Sequence, residues 1–360
     1  MEQALALAVL GEGSTSPNPR VGCVLVRENR VVGWGYHAAA GESHAEARAV
    51  RQAGARARGA TLYVNLEPCA HHGRTPPCAD LLVARGVRRV VASLIDPNPR
   101  VNGRGARRLA AAGIPVEFGL LAEQARLANE PFLHWHATGR PLVTLKAAAS
   151  LDGMISAAGG DARWITGEAA RRFAHRLRLR HDAVLAGAGT VRRDDPRLTV
   201  RLPGAEVVRQ RVVLAPGLDV PAAAKVFERQ PGAPLTLVYA AHAAAARDDL
   251  SERAEIVRVG APSGRLALSQ VLEDLGRRGI QSVLVEGGGK TLAAFLAQGL
   301  ADRVALFLAP KLLGARGGTP MIDLHSAVSA ARALRVEPRH TIPLGEDLLV
   351  LGSILAGLGG

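Results

Sequence analysis

The sequence predicts an α/β protein with two unlike domains in one chain. At 360 residues the chain is longer than one compact domain usually is. Short apolar runs alternate with helical patterns, which is typical of layered domains with largely parallel sheets. The pattern restarts after the polar segment ATGRP, and the two halves share no repeated motif. We therefore expect one domain over residues 1–140 and a second over residues 141–360.

Strands and helices are expected to alternate in the first half. The stretch VGCVLVRENRVVGWGY predicts two strands joined by a polar turn at Glu28 and Asn29, and a helix is expected from about Ala45. The later elements are, in chain order, a strand TLYVNL, a helix after Pro77, a strand VRRVVASLI, a helix GRGARRLAAAG, a strand IPVEFG and a single helix LAEQARLANEPFLHW.

The second half opens on the strand LVTLKAA and continues with further α/β units. These are a helix TGEAARRFAHRLR, the strands DAVLAG, RVVLA and LTLVYA, a helix LALSQVLEDLGRRG, a strand SVLVEGGG, a helix TLAAFLAQG and a strand RVALFLAP. Apart from two of these strands, the segment from about 200 to 265 carries weak patterns.

Composition narrows the class of protein. Nearly half of the residues are apolar, which favours globular domains over disorder. The net charge of +13 comes from arginines spread along the chain with only four lysines, so it forms no nucleic-acid-binding stripe. No apolar run reaches the roughly 20 residues that span a bilayer, and the N-terminus lacks the basic region of a signal peptide. Three cysteines fit a reducing compartment. We expect a cytoplasmic protein without a nucleic-acid or membrane partner.

One histidine and two cysteines form the first candidate site. GESHAEARAV places His44 two residues before Glu46, and NLEPCAHHGRTPPCADLL places Cys69 and Cys78 each directly after a proline. Three protein ligands leave the fourth tetrahedral position of a zinc ion open, as catalytic zinc requires. Zinc lowers the pKa of water to near neutral, and Glu46 is close enough to carry a proton from that water to a leaving amine.

The order H-x-E followed by P-C-x-x-C is the signature of zinc nucleobase deaminases. Here eight residues, AHHGRTPP, separate the cysteines instead of two. An isolated H-x-E more often marks a solvated helix face, and Cys23 is expected to be a buried apolar residue. A non-catalytic zinc module would normally supply a fourth protein ligand, which the sequence does not offer. The sequence therefore predicts a catalytic zinc site.

The segments HHGRTPPC, SPNPRVGCVLV and DPNPRVNGRG closely resemble the deaminase half of the bifunctional riboflavin-biosynthesis deaminase/reductase family. The resemblance implies a cytidine-deaminase-like three-layer α/β/α domain, with the zinc ligands and proton shuttle at the positions named above. It implies substrate contacts at Asn18, Arg74, Asp96 and Asn98, with His71 lining the pocket. Asn amides can read a pyrimidine edge and Arg74 can clamp a phosphate, although turn chemistry also explains both PNP segments.

The second half has neither a G-x-G-x-x-G motif after its first strand nor a P-loop. Its VLVEGGGKTLAAFL predicts a strand, three glycines and a helix, which is either a phosphate site or a tight turn. Together with LKAAASLDG, WITG, HDAVLAGAGTVRRDDPRLTVR and LAPKLLG, it resembles the reductase half of the same family, in the expected order from 141 to about 315. The resemblance implies a dihydrofolate-reductase-like α/β domain that uses NADPH.

The resemblance also implies residue roles in this half. The implied cofactor contacts are Ala148, Trp164, Thr190, Asp194, Gly288, Gly289, Lys290 and Thr291. The implied substrate contacts are Ala162, Arg178, Leu198, Arg201 and Glu286. Two positions depart from the family pattern, because Ala162 stands where a serine is expected and Lys290 where an uncharged residue is common. Lys290 either adds affinity for a cofactor phosphate or simply faces solvent.

The family resemblance implies two consecutive reactions. A zinc site over residues 1–140 deaminates a phosphoribosylamino-pyrimidine, and a reductase over residues 141–360 uses NADPH to convert the ribosyl group to ribityl. One zinc ion per chain and a homo-oligomer are expected. Two alternatives remain open at this point: a tRNA- or nucleobase-editing deaminase fused to an unrelated module, and a family member in which only one half is active.

Overall fold

A computed structural model describes residues 1–71, 76–157, 164–204, 207, 209–229, 232–314, 316–323 and 333–355. The chain divides into two compact units, Met1–Gly139 and Arg140–Gly360. Two residues with predicted roles, Arg74 and Ala162, lie outside the described residues. Within those ranges, the helices are all too short or too polar to span a bilayer.

The first unit contains a five-stranded sheet in the order β2-β1-β3-β4-β5. Its strands are β1 (Gly22–Arg27), β2 (Arg30–Tyr36), β3 (Thr61–Val64), β4 (Arg89–Ala92) and β5 (Val116–Phe118). Strand β1 is antiparallel to β2 and β3, whereas β3, β4 and β5 are parallel. The sheet is therefore mixed, and the expectation of a largely parallel sheet was wrong for this unit. Glu28 and Asn29 both have positive φ, of 51° and 59°, which is the geometry of a two-residue hairpin turn and requires an antiparallel pair.

Helices cover both faces of this sheet. They are α1 (Glu2–Val9), α2 (Ala45–Ala53), α3 (Cys78–Ala84), α4 (Arg104–Ala111), α5 (Ala122–Ala128) and α6 (Glu130–Thr138). One apolar cluster joins α2, α3 and α4 to the strands and includes the fully buried Cys23. A separate cluster contains Ala125 of α5 and Phe132 of α6, with Leu5 of α1 packed against it. Two clusters on opposite faces give the three-layer α/β/α arrangement that the sequence predicts.

Helix α2 lies unusually close to strand β2. A Cβ atom on Gly33 would lie 2.3 Å from the carbonyl oxygen of Ala49, and one on Gly35 would lie 2.3 Å from that of Ala45. Only glycine permits this approach of helix to strand. The contact sets the position of the first turn of α2, which begins directly after His44.

The single helix expected over LAEQARLANEPFLHW is wrong, because the chain forms α5 and α6 with a break at Asn129. Pro131 has no backbone N–H to donate to the carbonyl four residues earlier, so a continuous helix would lose a hydrogen bond there. The Asn129 amide instead accepts from the backbone N–H of Arg20 at 2.8 Å and donates to its carbonyl at 2.9 Å. The break therefore attaches this corner to the segment that precedes β1.

The second unit contains a nine-stranded sheet in the order β11-β10-β9-β8-β12-β6-β13-β16-β15. Its strands are β6 (Leu142–Ser150), β8 (Ala183–Gly187), β9 (Gln210–Leu214), β10 (Thr236–Ala241), β11 (Ala254–Val259), β12 (Ser282–Val285), β13 (Arg303–Ala309), β15 (Val336–Leu344) and β16 (Asp347–Ile354). The run from β11 to β13 is parallel, and β16 and β15 continue it antiparallel. Strands β7 (Met154–Ser156) and β14 (Thr319–Pro320) form a separate pair.

In the described part of this unit the helices beside the sheet are α7 (Glu168–Arg180), α8 (Ala188–Asp194), α9 (Asp248–Ser251), α10 (Leu268–Arg277) and α11 (Gly289–Ala297). All five residues of β8 are buried, as expected for a central strand covered on both faces. Strand β11, the β15–β16 hairpin and helix α8 were not predicted. Strand β15 exposes most of its residues and contains Pro338 and Pro343, so it carries no alternating apolar signal.

Candidate functional site

Three metal-binding side chains converge at the N-termini of two helices in the first unit. His44 is the residue that precedes α2, and Cys78 is the first residue of α3. The Nδ1 atom of His44 lies 3.5 Å from the Sγ atom of Cys69 and 3.3 Å from that of Cys78. The three donor atoms all lie within 4.8 Å of one another.

This donor set fits a zinc ion. Zinc bond lengths place the nitrogen and sulfur donors of a tetrahedral site about 3.6 Å apart, close to the distances observed here. The side chain of Cys78 and the imidazole of His44 donate toward Cys69 and lower the pKa of its thiol, and the backbone N–H of Cys78 donates to the Cys69 sulfur at 3.4 Å. The thiolate is the form of cysteine that binds metal. The described residues contain no fourth histidine, cysteine or carboxylate in this group.

Replacing Cys78 with serine is expected to remove most of the zinc, because the hydroxyl is a much poorer ligand than a thiolate. The zinc content measured in the purified protein should fall from about one ion per chain to well below one. Cys23→Ala is the matched control, since Cys23 is buried in the core and is not part of the donor group. Full zinc content in the Cys78 variant, or equal loss in both variants, would contradict the assignment.

Glu46 lies on the first turn of α2, two residues after His44, and only 3% of its surface is exposed. Burial is the main cause of its raised pKa, and the nearby Cys69 raises it further. A carboxyl group whose pKa is raised can both accept a proton and return it near neutral pH. Its place in the sequence, two residues from a metal ligand, is what puts it at the metal group.

A cavity of about 610 Å³ opens beside these residues. The predicted residues that line it are Asn18, His44, Glu46, Cys69, His71, Asp96 and Asn98. The structure thus brings together the predicted substrate contacts Asn18, Asp96 and Asn98 with the predicted lining residue His71, and Arg74 lies outside the described residues. Sequence reasoning missed other wall residues: His37, Glu67, Arg100, Phe132, Trp135 and His136. Most of these stand outside any recognisable motif.

Two of the wall residues form a defined hydrogen bond. The Nδ2 atom of Asn18 lies 3.1 Å from the Nε2 atom of His37. Burial lowers the pKa of His37, so the neutral ring can accept from the Asn18 amide. This bond orients the amide and leaves the Asn18 carbonyl oxygen as an acceptor for a substrate amino group.

A buried glutamate holds the DPNP turn in place. The Glu67 carboxylate accepts backbone N–H groups of Asp96 at 3.2 Å, Gly103 at 2.9 Å and Ala106 at 3.0 Å. Burial raises the pKa of Asp96 to about 6, although the backbone N–H of Asn98 donates to it and opposes the rise. The turn therefore presents a carboxyl group that titrates close to neutral pH.

A second cavity, of about 560 Å³, lies in the second unit at the carboxyl ends of β8 and β12. Ligands bind at this end of parallel sheets. The predicted residues that line it are Ala148, Trp164, Arg178, Thr190, Asp194, Leu198, Glu286 and Gly288. Lys146, Arg171 and Arg193 also line it and were missed, although Lys146 lies within the quoted LKAAASLDG motif.

Four predicted residues lie beyond this cavity wall. A Cβ atom on Gly289 would lie 2.5 Å from the carbonyl oxygen of Pro320, so close packing requires glycine there. Thr291 packs against Gly287, and Lys290 is exposed. Arg201 donates its backbone N–H to the His175 ring at 3.2 Å and is exposed. Their predicted roles remain predictions.

The wall of the second cavity contains a largely buried ion pair, in which the Arg178 side chain is 13% and the Glu286 side chain 8% exposed. Arg178 donates to both carboxylate oxygens of Glu286, at 2.6 and 2.9 Å, and to the Thr199 carbonyl at 2.8 Å. The Lys146 ammonium lies 3.8 Å from the same carboxylate. Burial alone would raise the pKa of Glu286, but Arg178 and Lys146 lower it to about 2. Arg178 is therefore engaged by protein groups.

The His-Cys-Cys donor group with its buried glutamate, set in a three-layer α/β/α unit, defines a site of the zinc nucleobase-deaminase class. The first 94 residues match the family model described as the cytidine and deoxycytidylate deaminase zinc-binding region. Residues 141–350 match the model of the RibD C-terminal domain. The chain belongs to the RibD family of riboflavin biosynthesis proteins, which confirms the resemblance inferred from the motifs.

Individual relatives agree with this assignment. The chain is 52% identical over 227 residues to the riboflavin biosynthesis protein RibD of Bacillus amyloliquefaciens, covering 63% of this chain and 61% of that protein. It is 54% identical over 201 residues to the Escherichia coli protein, covering 56% and 55%. The chain thus spans less than two thirds of the length of these curated relatives.

Solved structures extend the likeness over almost the whole chain. The structure of Acinetobacter baumannii RibD, form 1, matches with a TM-score of 0.90 and 38% identity, covering 99% of this chain and 98% of that one. A Thermotoga maritima diaminohydroxyphosphoribosylaminopyrimidine deaminase/5-amino-6-(5-phosphoribosylamino)uracil reductase matches with a TM-score of 0.86 and 34% identity, covering 99% and 97%.

Proposed function

We propose that this chain catalyses two successive steps of riboflavin biosynthesis. The first is hydrolytic deamination of 2,5-diamino-6-(5-phosphoribosylamino)pyrimidin-4-one in the Met1–Gly139 unit. The second is reduction of the ribosyl group to ribityl by NADPH in the Arg140–Gly360 unit. The observation that carries the proposal is the His44, Cys69 and Cys78 donor group beside buried Glu46, in one cavity with Asn18 and Asp96.

In the first site, His44, Cys69 and Cys78 would hold the zinc ion, which would supply the Lewis acidity that makes water a nucleophile near neutral pH. Glu46 removes a proton from the attacking water and transfers it to the departing amine. The water oxygen replaces the amine on the ring carbon, and ammonia leaves. Asn18 and Asn98 hold the pyrimidine through hydrogen bonds of their amides.

In the second site, NADPH supplies the hydride when bound. The residues proposed to hold the cofactor are Ala148, Trp164, Thr190, Asp194 and the glycine turn at Gly288. The chain orients the cofactor and substrate at the carboxyl ends of the strands, where Glu286, Arg178 and Lys146 form the charged end of the cavity. The hydride and one proton convert the ribosyl group to its ribityl form.

The proposal predicts coupled product formation in one purified chain. Incubation with the pyrimidine substrate should release ammonia, and NADPH should then be oxidised in equal molar amount. Ammonia without NADPH oxidation would leave a deaminase with an inactive reductase unit. Deamination of tRNA but not of the free nucleotide would contradict the proposed substrate and favour an editing enzyme. Neither reaction in a zinc-loaded chain would overturn both assignments.

A cytoplasmic location and a homo-oligomeric assembly complete the proposal. The chain's curated relatives are named as riboflavin biosynthesis proteins, which supports a metabolic enzyme acting on a small molecule. Sedimentation of the purified chain would give the assembly directly, and a monomer at micromolar concentration would contradict that part.

A further inference from the structure

The cavity of the second unit is rich in permanent positive charge. Four basic side chains line it: Lys146, Arg171, Arg178 and Arg193. The positive charges of Arg178 and Lys146 are both balanced by the carboxylate of Glu286, which lies close to each of them. These two therefore belong to an internal ion-pair network at the buried end of the cavity.

The third basic residue is also held by the protein. Arg171 donates to the carbonyl oxygen of Thr166 at 2.8 Å, and its guanidinium lies 4.6 Å from the centre of the Trp164 ring. Arg193 differs from these three, because its exposed guanidinium has no hydrogen bond or ion pair with any residue in the described part of the chain. A guanidinium at the wall of a ligand cavity without a protein partner is suited to a phosphate of the ligand.

The position of Arg193 indicates which end of the cofactor it meets. It lies on α8 three residues after Thr190, and residues at this spacing share a helix face. The Thr190 hydroxyl accepts the backbone N–H of Gly288, which precedes helix α11. Arg193 therefore lies beside Thr190 on the cavity wall, at its solvent-exposed edge. The nicotinamide of the cofactor must contact the substrate, and we place this contact at the charged, less exposed part of the cavity around Glu286. The adenosine of the cofactor then lies at the exposed edge of the cavity, where Arg193 is found.

We propose that Arg193 binds the 2′-phosphate of NADPH and so gives this unit its preference for NADPH over NADH. The inference rests on the proposed reductase function and deepens it by naming the residue that selects the cofactor. A planar guanidinium presents two parallel donors to a phosphate. Lys290, which the sequence offered for a cofactor phosphate, is exposed on α11 and lies outside the cavity wall.

Binding measurements on the full zinc-loaded chain test this directly. Calorimetric titration with 2′,5′-ADP and with 5′-AMP compares ligands that differ only in the 2′-phosphate. Arg193→Ala is expected to weaken 2′,5′-ADP about 10- to 100-fold, as for loss of a charge-assisted hydrogen bond, with 5′-AMP unchanged. The KM for NADPH should rise by a similar factor, whereas the KM for NADH and the kcat at saturating NADPH stay the same.

Arg192→Ala is the matched control. Arg192 is the neighbouring arginine on α8, but it pairs with Asp219, donates to the Asp219 carbonyl at 2.7 Å and does not line the cavity. The Arg192→Ala variant should bind 2′,5′-ADP and 5′-AMP with the same affinities as the wild type. Arg193→Lys should retain part of the affinity for 2′,5′-ADP.

Three results would overturn the proposal. The first is an unchanged affinity of Arg193→Ala for 2′,5′-ADP, and the second is an equal loss of affinity for 2′,5′-ADP and 5′-AMP. The third is a rise in the KM of the pyrimidine substrate alone, which would assign Arg193 to the substrate's phosphate. Loss of 2′,5′-ADP binding in Lys290→Ala with normal binding in Arg193→Ala would place the selection on α11 instead. If the wild type binds neither NADPH nor 2′,5′-ADP, the reductase proposal itself fails.

Discussion

Replacing Glu46 with glutamine is expected to lower the rate of deamination by about 10²- to 10⁴-fold while zinc stays bound. Glutamine has nearly the same size and fills the same buried position on the first turn of α2. It cannot take a proton from water and return it to a departing amine, so the loss falls on the chemical step. The decrease should therefore appear in kcat, with the KM of the pyrimidine nearly unchanged.

Two controls separate this effect from misfolding. Glu123→Gln changes an exposed carboxylate on α5, paired with Arg126 at 3.2 Å, and should leave deamination unchanged. The Glu46 variant should also reduce the already deaminated pyrimidine with NADPH at the wild-type rate, because the second cavity lies in the other unit. A deamination rate within tenfold of the wild type, with full zinc content, would rule out Glu46 as the proton carrier.

The second large effect is expected on stability, from Glu286→Gln. The substitution leaves Arg178 buried without its counter-ion, and breaking a buried ion pair costs about 3 to 5 kcal/mol of unfolding free energy. Urea denaturation followed by circular dichroism measures the loss, and hydrogen exchange of β12 locates it in the second unit. Exchange in the first unit should not change.

The pH dependence of this loss has a definite sign. The pKa of Glu286 is lowered to about 2 from an ordinary 4.5, so the ionised carboxylate stabilises the folded state above pH 4.5. That stabilisation disappears as the pH falls from 4.5 toward 2. The difference in unfolding free energy between wild type and Glu286→Gln should therefore be constant above pH 5 and shrink toward pH 2.

A triple variant tests the cause. Lys146→Met, Arg178→Met and Glu286→Leu together remove all three charges of the network and nearly keep the volume, so they should recover most of the stability lost in Glu286→Gln. If the triple variant is as unstable as the single one, packing rather than an unpaired charge accounts for the loss.

The two sites differ in how far the sequence could predict them. In the first unit, the short spacing of His44 and Glu46 and the two Pro-Cys pairs indicate the metal group. His44 and Cys78 lie at the starts of α2 and α3, whereas Cys69 lies in the segment between β3 and α3. His37 belongs to the same cavity, yet it follows a strand without any motif. Its role depends on the Asn18 amide, nineteen residues away, reaching it across the fold.

In the second unit, the family motifs indicated eight of the residues that line the cavity, but not how its basic side chains are paired. Arg178 was expected to contact the substrate, and the structure shows it bound to Glu286, 108 residues later in the chain. Lys290 and Arg193 are both basic residues within quoted motifs, and of the two only Arg193 lines the cavity. The charge of a residue and its motif can be recognised from the local sequence, whereas ion pairs between distant segments can be seen only in the folded structure.

The sequence by itself determined the α/β organisation in two units, the His-Cys-Cys group that can hold a metal and the family, because local spacing and motifs encode them. It also predicts Glu46 as the proton carrier. Tertiary structure alone decided the mixed sheet of the first unit, the bonding of Asn129 to Arg20, the position of the hairpin at the edge of the second sheet and the partners of each arginine. These features depend on contacts between residues far apart in the chain, and a local sequence pattern does not reveal the free energies of such contacts.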